Sequence, residues 1–304
     1  MDVVTPKQFD DSTDRTKNMN PLEDQLFQLA LTEDLGSPPH DVTTDLLFPN
    51  NQTIAQANII SKHAEIITVC GINLIAPLFS KLSADCKIQT NYQDGDRLAP
   101  GETLLTIEAT APSILKIERT LLNFLRHLSA IATLTAKYVE RVKNTQLKIL
   151  DTRKTTPGFR SLEKHAVHCG GGVNHRFGLY DAIMIKDTHV DILGGMQQAL
   201  NKLLTVDIKN LPVIVEVRTP EELDQVLTTA AHKVTRVLLD NMSLEIMQQC
   251  VAKCEGIVDT EASGNIRLDT VLAIAQTGVH YASVGELTYN AGQVDLSMTT
   301  SHKP

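Results

Sequence analysis

The sequence predicts an α/β protein whose C-terminal half is a parallel (β/α) barrel with fewer than eight strands. Two observations carry this. Short apolar runs recur at residues 147–150, 182–185, 213–217, 237–239, 257–258 and 281–284. Amphipathic helical patterns fill most of the gaps, at 195–204, 221–230, 244–254 and 268–276. Strand and helix alternating at about 20 to 35 residues mark a parallel sheet. An open, doubly wound sheet is the weaker reading, because no G-x-G-x-x-G follows the first strand.

The elements follow in order. The first 19 residues read as a mobile arm, polar and carrying four aspartates, unlike the basic-then-apolar layout of a signal peptide. Asn20 then supplies a helix cap and Pro21 the residue favoured in the first helical position. Leu22, Leu26 and Leu29, with Phe27 and Ala30, repeat at helical spacing, and Gly36 can close the helix. Between 52 and 109 the pattern changes to short strands at 53–60, 65–69, 86–92 and 102–107, punctuated by Asp94-Gly95-Asp96 and Pro100-Gly101. A long helix is predicted over 113–143, with Leu121, Leu125, Leu128, Ile131, Leu134, Tyr138 and Val142 as its buried stripe.

Composition sets limits on function. The 304 residues, 42% of them hydrophobic, suffice for a core. A net charge of −8 argues against nucleic-acid binding, which needs a basic surface. The longest apolar stretch, 66–79, is broken by Gly71, Asn73 and Pro77 and is too short to span a bilayer, so no membrane partner is expected. Five scattered cysteines fit a reduced, cytoplasmic compartment. Cys250 and Cys254 read as two thiols on one helix face rather than a zinc site.

Each apolar run of the C-terminal half ends in a polar residue or glycine: Asp151 with Arg153 and Lys154, then Lys186, Glu216, Asp240, Glu261 with Ser263, and Gly285. In a (β/α) barrel the catalytic groups stand at the carboxyl ends of the strands. Residues 150–190 hold six Lys/Arg against four Asp/Glu, plus four histidines, inside an acidic chain. Arg153, Lys154, His175, Arg176 and Lys186 therefore point to a small, multiply anionic ligand. Glu216 and Asp240 in such a pocket point to Mg2+ held by carboxylates and substrate phosphates. Gly170, Gly171 and Gly172 permit either a close ligand approach or a plain turn.

These residues resemble a known family. Residues 151–158 (DTRKTTPG) and 163–189 (EKHAVHCGGGVNHRFGLYDAIMIKDTH) resemble the D-T-R-K-T-x-P-G and E-K-Y-A-V…G-G-G…N-H-R-x-G-L…I-K-D-N-H motifs of quinolinate phosphoribosyltransferases. Glu33 to Gly36, Asp41 to Thr44, Glu118 to Thr120, Val215 to Val217, Leu239 to Asn241 and Glu261 to Gly264 add shorter matches, so the resemblance spans residues 21–296. It implies phosphoribosyl transfer from phosphoribosyl pyrophosphate to quinolinate with decarboxylation, giving nicotinate mononucleotide, pyrophosphate and CO2 with magnesium, on the route to NAD. It implies an α/β sandwich over 20–121, with 289–304 returning to it, and an incomplete barrel over 122–288. It also implies a homodimer with shared active sites.

Under the resemblance, Arg153, His175, Arg176 and Lys186 hold the quinolinate carboxylates, and Arg119 reaches in from the partner subunit. Lys154, Glu216 and Asp240 serve catalysis at the phosphoribosyl group and its Mg2+. Ser263, Gly264 and Gly285 line the phosphate site. This chain departs from the family pattern at Thr188, Asn265, Tyr289-Asn290 and the longer segment 37–40. The rival chemistry is a Schiff-base lyase using Lys186 or Lys154. A biotinyl or lipoyl carrier is disfavoured, because no lysine lies between Thr90 and Pro112.

Overall fold

The structure, a computed structural model, describes residues 20–49 and 52–302; the arm expected at 1–19 lies outside the described residues. The chain forms two compact units. One holds the described residues of 20–136 together with 155–171 and 290–302; the other holds Lys137–Lys154 and Gly172–Tyr289.

In the N-terminal unit, α1 (Pro21–Leu35) begins as its sequence dictates. The Asn20 side chain accepts the Leu22 N–H at 2.9 Å, and Pro21 fills the first position, where a missing N–H costs nothing. The buried face differs from the expected one. Glu23, Phe27, Leu31 and Leu35 face inward, whereas Leu22 and Leu29 are 60% and 65% exposed. Phe27 meets Phe124 edge-on with ring centroids 5.1 Å apart, and Glu23 accepts the Ser161 hydroxyl. These two anchors set the rotation of the helix. The helical period alone leaves it open.

Next come α2 (Val42–Leu47), β1 (Ile54–Ser61), β2 (Ile67–Thr68), α3 (Ile75–Lys81), β3 (Lys87–Gln89), β4 (Arg97–Leu98) and β5 (Thr103–Thr110). An antiparallel sheet places β1 between β5 and the last strand of the chain, Leu296–His302, with β3 beyond β5; β2 and β4 form a separate ladder. Ala55, Ala57, Ile59 and Ser61 of β1 are buried, the alternation expected of a sheet covered on one face. The long α4 (Ala111–Val142) buries Leu121, Leu125, Leu128, Ile131, Tyr138 and Val142 along one stripe. α5 (Arg160–Cys169) was not anticipated, because its buried face includes Glu163 and Lys164 beside Leu162, Ala166 and Val167.

The second unit contains β6 (Lys148–Leu150), β7 (Ile183–Ile185), α6 (Asp187–Leu193), α7 (Met196–Thr205), β8 (Val213–Val217), α8 (Pro220–Thr229), β9 (Arg236–Asp240), α9 (Leu244–Cys254), β10 (Asp259–Ser263), α10 (Val271–Gln276) and β11 (Tyr281–Ser283). All six strands are parallel, in the order β6-β11-β10-β9-β8-β7. Read as a circle, that is chain order cut between β6 and β7. A doubly wound sheet would reverse direction at a switch point. This sheet is an incomplete barrel. Val173 bridges Leu150 along the open edge of β6.

One strand differs from its expected position. Residues 257–258 lie ahead of β10, with Ile257 55% exposed. β10 itself reads DTEAS, and its polar residues hid it from an apolar-run search. Among the described residues, no helix is long and apolar enough to cross a membrane.

The register of the parallel sheet sorts its side chains onto two faces. Ile149, Ala282, Ala262, Leu239, Val237, Val215 and Val217 share the first and are buried. This is the face that the apolar stripes of α8 (Leu223, Val226) and α9 (Met247, Cys250, Cys254) require. The second face carries Tyr281, Glu261, Arg236, Glu216, Asp240, Ser263 and Ser283, with Leu150, Leu238 and Ile214 as apolar members.

Candidate functional site

The polar face organises the site, and β10 supplies its base. Glu261 was expected at a strand end, but it sits mid-strand and fully buried. Its carboxylate meets Arg236 Nη1 at 2.9 Å and His175 Nε2 at 3.3 Å, and it accepts the Ser283 hydroxyl. Burial alone would raise its pKa; the charge and hydrogen bond of His175, with Arg236 and Ser283, outweigh burial and hold it at about 2. Arg236 also stacks on Tyr281, 3.7 Å from the ring centroid. Neither Arg236 nor Tyr281 was singled out from the sequence. The signal that could have found them is the polar residue alternating inside each apolar run.

The cationic loop is built on this base. Asp151, fully buried just past β6, accepts the His175 N–H at 2.8 Å, and Val173 donates to Ile149 O at 2.8 Å. His175 is turned inward with 8% of its side chain exposed, and its Nδ1 accepts the Arg176 N–H at 2.6 Å. Arg176 donates to Ala182 O at 3.2 Å. Its pKa is lowered, first by burial and then by the nearby Arg153 charge, with Asp181 opposing. Arg153 itself keeps a buried Nε with no hydrogen-bond partner. Two guanidiniums held together with an unused donor make an anion-binding arrangement.

Lys186 follows β7 and leads into α6. Its N–H donates to His189 Nδ1 at 2.9 Å, and its ammonium lies 4.0 Å from Glu216. Glu216 is the fourth residue of β8 rather than its end, and, one position past the Ile185–Val215 pair, it lies level with Lys186. Its pKa is raised by burial above all; Lys186 opposes the rise and Asp240 adds to it. Asp240 ends β9, two residues beyond the partner of Glu216 on the same face, so both carboxylates project to one side.

Ser263 ends β10, and its carbonyl accepts the Asn241 N–H at 2.9 Å. Gly264 follows at φ +96, where a Cβ would lie 2.1 Å from Asn241 Oδ1, so only glycine fits. Asn265 Nδ2 donates to Asn241 Oδ1 at 3.2 Å, and Asn241 Nδ2 donates to Asp240 at 2.8 Å. Lys154 is pinned through its backbone, where its carbonyl accepts the Thr288 hydroxyl at 2.7 Å. A Cβ at Gly285 would come within 3.2 Å of the Lys154 stem.

The glycine run caps α5: Gly170 and Gly171 donate to Ala166 O and His168 O, and a Cβ on Gly170 would lie 2.5 Å from Ala132 O on α4. Gly170 thereby lets α5 pack closely against α4, which agrees with the turn reading of the run. Arg119 belongs to the N-terminal unit, where it lines a cavity of about 500 Å³ with Glu33, Asp34, Asn123, His127 and Thr156. There His127 and the Thr156 N–H converge on buried Glu163, at 2.9 and 3.1 Å.

An incomplete parallel barrel with guanidiniums, lysines and carboxylates gathered near the carboxyl ends of its strands has the layout of an α/β-barrel enzyme. Residues 41–129 match the family described as quinolinate phosphoribosyl transferase, N-terminal domain, and residues 131–299 match its C-terminal domain. The chain belongs to the quinolinate phosphoribosyltransferase family. A quinolinate phosphoribosyltransferase [decarboxylating] of Nicotiana tabacum is 38% identical, covering 90% of this chain and 81% of the relative. A probable nicotinate-nucleotide pyrophosphorylase [carboxylating] of Bacillus subtilis is 36% identical over 92% of this chain and 94% of its own length. Among solved structures, the nicotinate-nucleotide pyrophosphorylase from Francisella tularensis superposes with a TM-score of 0.83 at 36% identity, covering 93% of this chain and 98% of that one.

Proposed function

We propose that the cationic strand ends hold the two carboxylates of quinolinate for the decarboxylating phosphoribosyl transfer of this family. The observation that carries the assignment is the Arg153–Arg176 pair, two neighbouring guanidiniums with an unused buried donor. A dicarboxylate placed there relieves their repulsion and meets planar donors suited to bidentate binding. Lys186 supplies a third cation. His175 acts as a positioning residue, because its ring is committed to Arg176 N–H and Glu261.

The enzyme joins quinolinate to the ribosyl carbon of phosphoribosyl pyrophosphate, releasing pyrophosphate and CO2 and giving nicotinate mononucleotide for NAD synthesis. As pyrophosphate leaves, the ribosyl centre becomes cation-like, and the Glu216 and Asp240 carboxylates offset that charge. Lys154 faces the departing pyrophosphate. Ser263, Gly264 and Gly285 line the phosphate site, where glycine lets backbone N–H groups approach. Bonding of the pyridine nitrogen creates a cationic ring; loss of the adjacent carboxylate as CO2 leaves its electron pair on the ring carbon beside that nitrogen, where the positive charge stabilises it until a proton from water completes nicotinate mononucleotide. Holding both substrates in line supplies much of the acceleration.

The donor set also fits Mg2+: two carboxylates from neighbouring strands on one face, oxygen donors of the kind that bind this ion together with substrate phosphates. Bound there, magnesium would neutralise charge on the leaving pyrophosphate. A Schiff-base reaction at Lys186 or Lys154 is not favoured by the family. The active form in this reading is a cytoplasmic homodimer with Arg119 supplied to the partner's site. Exposed Leu22, Leu29, Leu46 and Leu47 offer apolar surface for that contact.

Incubation with quinolinate, phosphoribosyl pyrophosphate and Mg2+ is expected to yield nicotinate mononucleotide and CO2, with nicotinate a poor substitute. Absence of both products overturns the assignment. Arg119→Ala and Lys186→Ala proteins, each strongly impaired alone, are expected to regain activity when mixed. No recovery after verified subunit exchange counts against the shared site.

A further inference from the structure

The N-terminal unit gathers a second set of reactive side chains that phosphoribosyl transfer leaves unused. Cys70, Asp94, His165 and Cys169 each bring one donor atom to a cluster whose atoms all lie within 4.8 Å of one another. Cys70 follows β2, Asp94 sits in the turn before β4, and His165 and Cys169 are four residues apart on α5, hence on one helical face. His165 Nε2 lies 3.0 Å from Asp94 Oδ2 and 3.4 Å from Cys169 Sγ.

Asp94 is oriented from behind. Its Oδ1 accepts the N–H groups of Gly71 and Ile72, both at 2.9 Å, which leaves Oδ2 facing the cluster. Such outer hydrogen bonds aim ligands at a metal.

We propose that Cys70, Asp94, His165 and Cys169 form a four-coordinate Zn2+ site. Two sulfurs, one imidazole nitrogen and one carboxylate oxygen, all donor types that zinc accepts, fill a tetrahedron, the four-coordinate geometry of closed zinc sites. With Zn–S near about 2.3 Å and Zn–N or Zn–O near about 2.0–2.2 Å, neighbouring ligand atoms stand roughly 3.2–3.8 Å apart. The cluster needs only a small contraction to reach that spacing. Two thiolates favour zinc over the hard Mg2+ ion. The ion would tie the turns beside β2 and β4 to α5. His165 stands where the family motif quoted above has tyrosine, so the nitrogen ligand is a feature of this chain.

The test is titration of the reduced, chelator-treated full-length protein with Co2+, read by absorbance. We expect about one equivalent per chain, with a thiolate-to-cobalt charge-transfer band and intense tetrahedral d–d bands that Zn2+ abolishes. Cys70→Ser and His165→Tyr are expected to lose these bands, while a Cys250→Ala/Cys254→Ala protein keeps them. Zn2+ should raise the Tm of the wild type and leave that of His165→Tyr unmoved. Absence of the charge-transfer band in the wild type overturns the proposal, whatever the variants do. So does an unchanged band in His165→Tyr, or a Cys70–Cys169 disulfide formed on mild oxidation by a protein that takes up no Co2+ when reduced.

Discussion

Along β8, Val213, Val215 and Val217 are fully buried apolar side chains, while Glu216 between them meets Lys186 and Asp240. The same division runs across the sheet: Leu239 against Asp240 on β9, Ala262 against Glu261 on β10, Ala282 against Tyr281 on β11. The period of two puts stability on one face and chemistry on the other, within the same strands. Substitutions on the apolar face should therefore change stability and leave the chemistry alone. Those on the polar face should do the reverse, unless the residue is part of the buried base.

Glu261 is the sharpest challenge to that division, since it lies on the polar face and is wholly buried. Glu261→Gln leaves Arg236 without its counter-charge, and breaking a buried pair from one side costs about 3–5 kcal/mol. Urea unfolding should show a loss of that size. The pH dependence carries the same signature. The native pKa of about 2 lies below the reference value of 4.5, so the contribution of Glu261 is fully present above 4.5 and fades as pH falls towards 2. In Glu261→Gln, unfolding free energy measured over that window should lose this acid-side slope. An unchanged slope would move the acid sensitivity to other carboxylates.

Lys186 is the opposite case, with 45% of its side chain exposed. Lys186→Ala is expected to lower kcat/KM by about 10²–10³-fold with the unfolding midpoint unchanged. A matching loss of stability would break the division of labour. On the other face, Val215→Ala should cost roughly 2 kcal/mol of stability through lost burial and a cavity, with kcat retained in the folded fraction. The smallest effect is expected at Asn265, which acts on Asp240 only through Asn241. Its φ of +52 is open to glycine, so Asn265→Gly should fold normally. The expected result is a rise of a few fold in the KM for phosphoribosyl pyrophosphate, with the KM for quinolinate unmoved.

The two cysteine-bearing helices teach a related lesson. Cys250 and Cys254 sit four apart on α9, in apolar surroundings that push both thiols up, Cys254 to about 12. His165 and Cys169 have the same spacing on α5 but meet Cys70 and Asp94 from distant stretches of chain. Spacing on one helix is visible in a sequence. What faces that helix is not.

The sequence by itself determined the α/β class, the order of the parallel strands and helices, the cations of residues 150–190, and the long motifs of the family. These are local properties: periodicity, the capping residue Asn20, and the charge of one segment. Tertiary structure alone decided which face of α1 is buried, because Phe124 and Ser161 lie far along the chain. It also moved Glu261 from a strand end into the sheet interior and turned His175 towards it. It placed the glycine run against α4. Each of these depends on strand register or on packing between segments remote in sequence, and a single residue of register exchanges one face of a strand for the other.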